Sequence, residues 1–175
     1  MTWGSNALTK RLIAIKWTLY GLWTLLFLLV QQLVLPYLCI AGVHPFLLPL
    51  LSAVAASLEG KWAGPVFGLV LGLVCDMLFP GAFPCFYAVA LPLCAAVAGF
   101  AARHAIMPGL VCSLAVSAAA LLLTGILNTL ASAYFFGTPL RSALWLMARE
   151  MLVSLPLAIV IHPAFFHVHR RFAGR

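Results

Sequence analysis

Nearly all charges of this chain lie in short stretches between long apolar runs, and this feature constrains the fold more than any other. A run of about 20 apolar residues is long enough to cross the hydrocarbon core of a bilayer as a helix. The composition agrees, because 65% of the residues are hydrophobic and 7% are charged, whereas soluble domains are about a quarter charged. The sequence therefore predicts an all-α integral membrane protein, built as one membrane domain over residues 1–175.

Six apolar runs are separated by polar, proline or glycine breaks. The predicted transmembrane spans cover about 17–35, 44–58, 64–79, 86–102, 110–136 and 152–168. The second and third spans are short, so each must begin inside the interface or thin the membrane locally. Residues 140–150 carry apolar side chains at helical spacing. Whether this segment lies flat at the outer interface or continues the last span stays open.

Basic residues predict the orientation, because cytoplasmic flanks of membrane spans are enriched in Lys and Arg. With both termini in the cytoplasm, only Arg141 and Arg149 lie outside, and every other Lys and Arg lies inside. This bias predicts six spans and a multi-pass protein of the inner (plasma) membrane. Since the basic residues flank spans instead of forming one continuous face, they indicate contacts with anionic membrane lipid and no nucleic-acid partner.

A ladder of small residues occupies the third predicted span, within the segment EGKWAGPVFGLVLGLVCDMLFPG. Its glycines recur at every fourth position, at Gly60, Gly64, Gly68 and Gly72. In a helix they form one slowly winding groove, which allows a neighbouring backbone to approach closely in lipid. We interpret these glycines as a groove for helix packing or for a partner.

The ladder ends in a carboxylate, Asp76. A charge at mid-bilayer costs about 2.5 to 3.5 kcal/mol on insertion scales, but Asp76 is predicted to lie one turn from the outer end of its helix, where the cost is smaller. Arg149 is expected at a similar depth, and we hypothesise that Asp76 and Arg149 pair as a polar lock. In the alternative, Asp76 reaches water and accepts hydrogen bonds from the loop that follows.

The remaining polar residues do not form a recognisable catalytic, cofactor or metal site. Acids are scattered at Glu59, Asp76 and Glu150, and the cysteines and histidines lack the spacing of metal ligands. We therefore predict that the chain is not an enzyme and holds no metal or cofactor. The residues Cys39 and Cys85 are both placed in outer loops, and whether they form a disulfide stays open.

Two glutamines, Gln31 and Gln32, lie near the far end of the first apolar run. Amide side chains at this depth commonly form hydrogen bonds at the interface or between helices. We therefore expect them to stabilise the bundle and not to form a ligand site.

The segment GPVFGLVLGLVCDMLFPGAF resembles the motif of the rod shape-determining protein MreD family of bacterial inner-membrane proteins. The motif positions are Gly64, Gly68, Gly72, Asp76 and Gly81. The first apolar helix, the proline after it and the basic C-terminal tail also resemble the layout of that family. One departure is the sequence FPCFYA after the motif, where a further glycine is expected.

The resemblance implies a non-enzymatic component of the cell-elongation complex that guides peptidoglycan synthesis along the side wall. It also implies partners, namely an MreC-like bitopic membrane protein, the actin-like MreB filament and the wall-synthesis enzymes. In that role the glycine groove could receive a partner's single transmembrane helix or a helix of the same chain.

Other classes of function stay open on the sequence. Substrate-binding subunits of energy-coupling-factor vitamin transporters are similarly small, six-span and glycine-rich, and short proline-interrupted spans can mark a solute site. Their docking surface on helix one typically reads Ala-x-x-x-Ala, whereas the present first helix, WTLYGLWTLLFLLVQQL, is bulky throughout. A membrane scaffold with another role is the third interpretation, and an intramembrane enzyme is the fourth.

Overall fold

The computed structural model describes residues 3–38, 42–59, 62–78, 84–104 and 109–173. Over these residues the chain is helical and has no strand, which confirms the predicted all-α fold class. The helices are α1 Trp3–Leu33, α2 Leu48–Glu59, α3 Ala63–Leu78, α4 Phe86–His104, α5 Leu110–Phe136, α6 Leu140–Ser154 and α7 Leu157–Ala173. Several residues on which the sequence predictions depend lie outside the described residues, namely Cys39, Gly60, Lys61, Phe79, Gly81 and Arg175.

The first helix begins well before the apolar run that predicted it. Residues 3–16 contain Leu, Ile, Ala, Lys and Arg, which favour helix, and no proline. The helix therefore continues through the polar leader, and α1 has 31 residues. It ends at Leu33, shortly before Pro36, whose ring and missing N–H do not fit inside an α-helix, and Leu35–Tyr37 form a short 3-10 helix.

Prolines determine where the second helix begins. The predicted span starts at residue 44, but residues 44–47 are not helical and α2 starts at Leu48. Pro45 disfavours helix in the residue before it, whereas Pro49 lies in the first turn, where its missing N–H is not needed. The resulting helix has 12 residues and is only about 18 Å long.

The last predicted span is a bent pair of helices. The helices α6 and α7 are separated at Leu155 and Pro156 and meet at 50°. A proline at a helix junction is an ordinary cause of a bend of this size. Residues 140–150 therefore belong to α6, a helix that is separate from α7 and extends to Ser154.

Length and composition of the described helices indicate association with a membrane. Two segments, Arg11–Tyr37 and Leu110–Phe136, are long and apolar enough to cross a bilayer, and the bent α6 and α7 pair makes a third if it forms one span. The helices α2, α3 and α4 are apolar but shorter than the usual span.

The short helix α2 lies at the centre of the bundle. Every residue from Leu48 to Ala56 is buried, and α2 packs against α3, α4, α5 and α7. A helix that is apolar on all sides is stable only when it is surrounded. These four helices therefore surround α2.

Aromatic side chains join α7 to α1 and α3 beside this core. The ring of Phe165 in α7 is fully buried and stacks on Tyr20 of α1, with the centroids 5.2 Å apart. It also meets Phe67 of α3 edge-on at 6.4 Å. Such ring pairs add stability beyond the burial of their area.

The non-helical segment before α2 has its backbone groups bonded by side chains of other helices. The amide of Gln31 in α1 donates to the carbonyl oxygen of Pro45 at 3.1 Å and accepts the N–H of Leu47 at 2.9 Å. The hydroxyl of Ser154 in α6 accepts the N–H of Phe46 at 2.8 Å. Buried backbone groups without partners are costly, so these bonds allow the segment to enter the core.

The substitution Gln31→Leu should destabilise the bundle strongly, whereas Gln32→Leu should not. Gln31 is buried and bonds two backbone groups, while Gln32 is exposed. Each group left unpaired costs about 1 to 3 kcal/mol. Thermal unfolding of the purified protein in detergent, followed by circular dichroism, measures the difference. Equal stability of the two variants would contradict this role of Gln31.

Candidate functional site

Three glycines of the predicted groove, Gly64, Gly68 and Gly72, face helices of the same chain. A Cβ atom placed on Gly64 would lie 2.6 Å from the Cβ of Ala56 in α2. A Cβ atom on Gly68 would lie 2.9 Å from the carbonyl oxygen of Leu91 in α4. Contacts this short leave no room for a side chain, so the groove at these positions is occupied by α2 and α4.

Gly72 lies against the first turn of α4. A Cβ atom there would overlap the carbonyl oxygen of Tyr87 and lie 2.8 Å from the Cα of Ala88. The absence of a side chain at Gly72 therefore allows the backbones of α3 and α4 to pack in direct contact.

Asp76, one turn further along α3, binds the same turn of α4. Its two carboxylate oxygens accept the backbone N–H groups of Tyr87 at 3.0 Å and Ala88 at 2.8 Å. The first N–H groups of a helix have no partner within the helix, and the helix dipole favours an anion at this end. Gly72 and Asp76 thus act together: the glycine brings α4 close, and the carboxylate satisfies its first turn.

Arg149, the hypothesised partner of Asp76, makes a contact with an aromatic ring. The guanidinium carbon of Arg149 lies 5.0 Å from the centre of the Trp145 ring, one turn earlier in α6. This distance is typical of a cation–π contact. The pairing of Asp76 with Arg149 stays a prediction.

A second polar cluster, which the sequence pattern did not predict, surrounds the carboxylate of Glu59 at the end of α2. Its oxygen Oε2 binds the Lys16 ammonium at 2.6 Å. Its oxygen Oε1 accepts the Tyr20 hydroxyl at 2.7 Å and lies 3.0 Å from Nδ1 of His169. We call these four residues the Glu59 cluster, which joins α1, α2 and α7.

The Glu59 cluster holds its acid in the ionised form. Glu59 follows the apolar run 44–58, and its side chain is 9% exposed. Burial by itself raises the pKa of the carboxyl, but hydrogen bonds from Lys16, His169 and Tyr20 outweigh it, so the pKa lies below its ordinary value. An ionised carboxylate only accepts hydrogen bonds, so Nδ1 of His169 carries the proton in this contact.

One signal in the sequence pointed towards this cluster. The predicted topology places the start of the first span, the end of the second and the end of the last on one side. Glu59 is the acid among many basic residues on that side. Which of those residues reach it depends on how the helices pack, and the sequence alone does not supply the packing.

An apolar groove runs between α1 and α3 on the outside of the bundle. Its volume is about 540 Å³, and its lining includes Trp17, Gly21, Trp62, Val66 and Val70. A Cβ atom on Gly21 would meet no atom within 4 Å. Unlike Gly64, Gly68 and Gly72 of α3, Gly21 therefore faces open space.

Comparisons with protein-family models, with curated proteins and with solved structures find no match to this chain. The resemblance to the MreD family consequently rests on the motif within residues 64–81 and on the layout of apolar and basic segments in the sequence.

The substitution Gly72→Ala should destabilise the protein by about 1 to 3 kcal/mol, as overpacking commonly does. The new methyl group would collide with backbone atoms of Tyr87 and Ala88, which cannot move without displacing α4. Gly21→Ala is the matched control and should be neutral or slightly stabilising, because alanine favours helix by up to about 1 kcal/mol. Unfolding in detergent compares the two, and equal effects would disprove the close approach at Gly72.

Removing the acid of the Glu59 cluster should cost about 3 to 5 kcal/mol, because Glu59→Leu leaves the partly buried Lys16 charge without its partner. The double variant Lys16→Met with Glu59→Leu should be more stable than Glu59→Leu alone, since neither charge remains. Unfolding of both variants in detergent gives the comparison. A double variant no more stable than the single one would show that the ion pair does not couple α1 to α2.

Proposed function

We propose that this chain is a non-enzymatic, multi-pass component of the bacterial cell-elongation complex in the inner membrane. In this role it binds a bitopic membrane protein of the MreC type and helps to guide peptidoglycan synthesis along the side wall. The proposal rests on the α3 motif, which resembles the MreD family, and on the open groove between α1 and α3.

Six spans with both termini in the cytoplasm form part of this proposal. The helices α1 to α5 supply five crossings, and the bent pair α6 and α7 supplies the sixth. The Glu59 cluster supports this arrangement, because Lys16, Glu59 and His169 bring the start of α1, the end of α2 and the end of α7 to the same side. Alternating crossings place these three ends on the same side of the membrane. Arg170 and Arg171 follow on α7 at the level of anionic lipid headgroups.

The α1–α3 groove is the observation that carries the proposed partner. Gly64, Gly68 and Gly72 pack inside the bundle, so we place the partner surface elsewhere. A single apolar helix fits the groove, because Gly21 leaves space at its floor and the aromatic rings of Trp17 and Trp62 lie in its wall. In lipid, contact between such surfaces depends on close packing, which small residues allow.

Copurification from native membranes in mild detergent tests the proposal. The wild-type protein should recover a bitopic wall-elongation protein, and Gly21→Leu should reduce the recovery about tenfold, equivalent to about 1.4 kcal/mol. Leu22→Trp is the matched control, since Leu22 is exposed and lies outside the groove lining.

Three results of this experiment would contradict the proposal. One is full recovery of the partner by Gly21→Leu, which would remove the groove from the binding surface. Another is equal loss in Leu22→Trp, which would show that added bulk anywhere on α1 prevents binding. The third is copurification of an ATPase-linked coupling subunit or a bound vitamin in place of a wall-elongation protein.

A further inference from the structure

A cavity lies near the start of α2, where it meets α4, α5 and α6, at the opposite end of α2 from the Glu59 cluster. Its volume is about 60 Å³, and it adjoins a wider cleft of about 350 Å³ between α5 and α6. Gly125, Asn128, Met147 and Glu150 line both spaces. The two together approach the size of a site for a small molecule.

Glu150 is the charged residue in the lining of both spaces. Among the described residues its carboxylate makes no hydrogen bond or ion pair. Arg149, its neighbour in the chain, lies over the Trp145 ring instead. A half-buried carboxyl group without a partner is costly to ionise in an apolar bundle, and a cation bound in the same space would stabilise its ionised form.

Two further features complete the lining of the cavity. The amide of Asn128 faces the same space and makes no hydrogen bond among the described residues. Three aromatic rings form another wall, where Tyr87 lies 5.6 Å from Phe46 and 5.1 Å from Phe86 between ring centres. Aromatic faces attract organic cations within about 6 Å.

We propose that this cavity binds a small organic ammonium ion. The carboxylate of Glu150 would neutralise its charge, and the aromatic wall would pack against its methyl or methylene groups. The amide oxygen of Asn128 would accept a hydrogen bond from an N–H or hydroxyl group where the ion carries one, and would otherwise contact the ion through its dipole. Hard metal ions fit less well, because Mg²⁺ and Ca²⁺ require six or more oxygen ligands and the lining supplies one carboxylate. This inference is independent of the proposed role in cell elongation.

Isothermal titration calorimetry on the full-length protein in detergent tests the site. The probes are choline, tetramethylammonium and n-butylammonium, and the neutral isostere of choline, 3,3-dimethyl-1-butanol, is the ligand control. At least one ammonium probe should bind saturably. If choline binds, its neutral isostere should bind at least tenfold more weakly.

Variants assign the binding to the cavity. Glu150→Gln should weaken the bound probe at least tenfold, and Asn128→Leu should weaken it while leaving the carboxylate in place. Ala148→Gln places the same amide side chain at an exposed position of α6 and should bind as the wild type does. Helix content by circular dichroism checks that each variant is folded. If Glu150→Gln does not fold, weaker probe binding by Asn128→Leu tests whether the probe occupies the cavity.

The proposal is overturned if none of the three ammonium probes binds saturably to the wild-type protein. It is equally overturned if Glu150→Gln binds the probe as tightly as the wild type, or if the neutral isostere binds as well as choline. The last result would show a cavity that selects apolar shape and not charge.

Discussion

The enclosure of α2 is the constraint on which the rest of the structure depends. A short helix that is buried on all sides brings its two ends into the interior, where polar groups without partners are costly. At one end, Gln31 and Ser154 bond the backbone before the helix; at the other, the Glu59 cluster neutralises its final acid. Helices α1, α6 and α7 are thus held to the centre by the polar groups that α2 cannot satisfy itself.

The motif in α3 has a defined role in this arrangement. Gly64 permits contact with α2, whereas Gly68 and Gly72 permit contact with α4. Asp76 then completes the first turn of α4 with two backbone hydrogen bonds. A glycine and an acid four residues apart thus have complementary roles in this apolar helix. The glycine lets α4 approach, and the carboxylate accepts hydrogen bonds from the first N–H groups of α4, which have no partner within their own helix. The motif residues in α3 therefore build the bundle, and the groove beside α1 is left open.

Hydrophobic runs and prolines predicted much of the fold. The ends of α5 agree with the predicted span 110–136, because an apolar run bounded by glycines marks a helix clearly. The start of α2 and the division between α6 and α7 were predicted less well, since local proline effects compete there with apolar periodicity. Among the polar residues, Gln31 was expected to form hydrogen bonds. Its partners, the carbonyl of Pro45 and the N–H of Leu47, could not be predicted, because they belong to a distant segment. The Glu59 cluster likewise depends on contacts between distant segments.

The sequence by itself determined that the chain is helical and apolar enough for a membrane, because periodicity and composition act along the chain. It also singled out the spacing of Gly64, Gly68, Gly72 and Asp76, which is a local property of one helix. Only the tertiary structure decided which helix each of these residues meets, and that α2 instead of α3 occupies the centre. It alone placed Lys16, Tyr20 and His169 around Glu59, and Glu150 beside Asn128 and the aromatic rings. The physical reason is that burial and pairing depend on the packing of several helices at once, whereas hydropathy and helix propensity are properties of each segment.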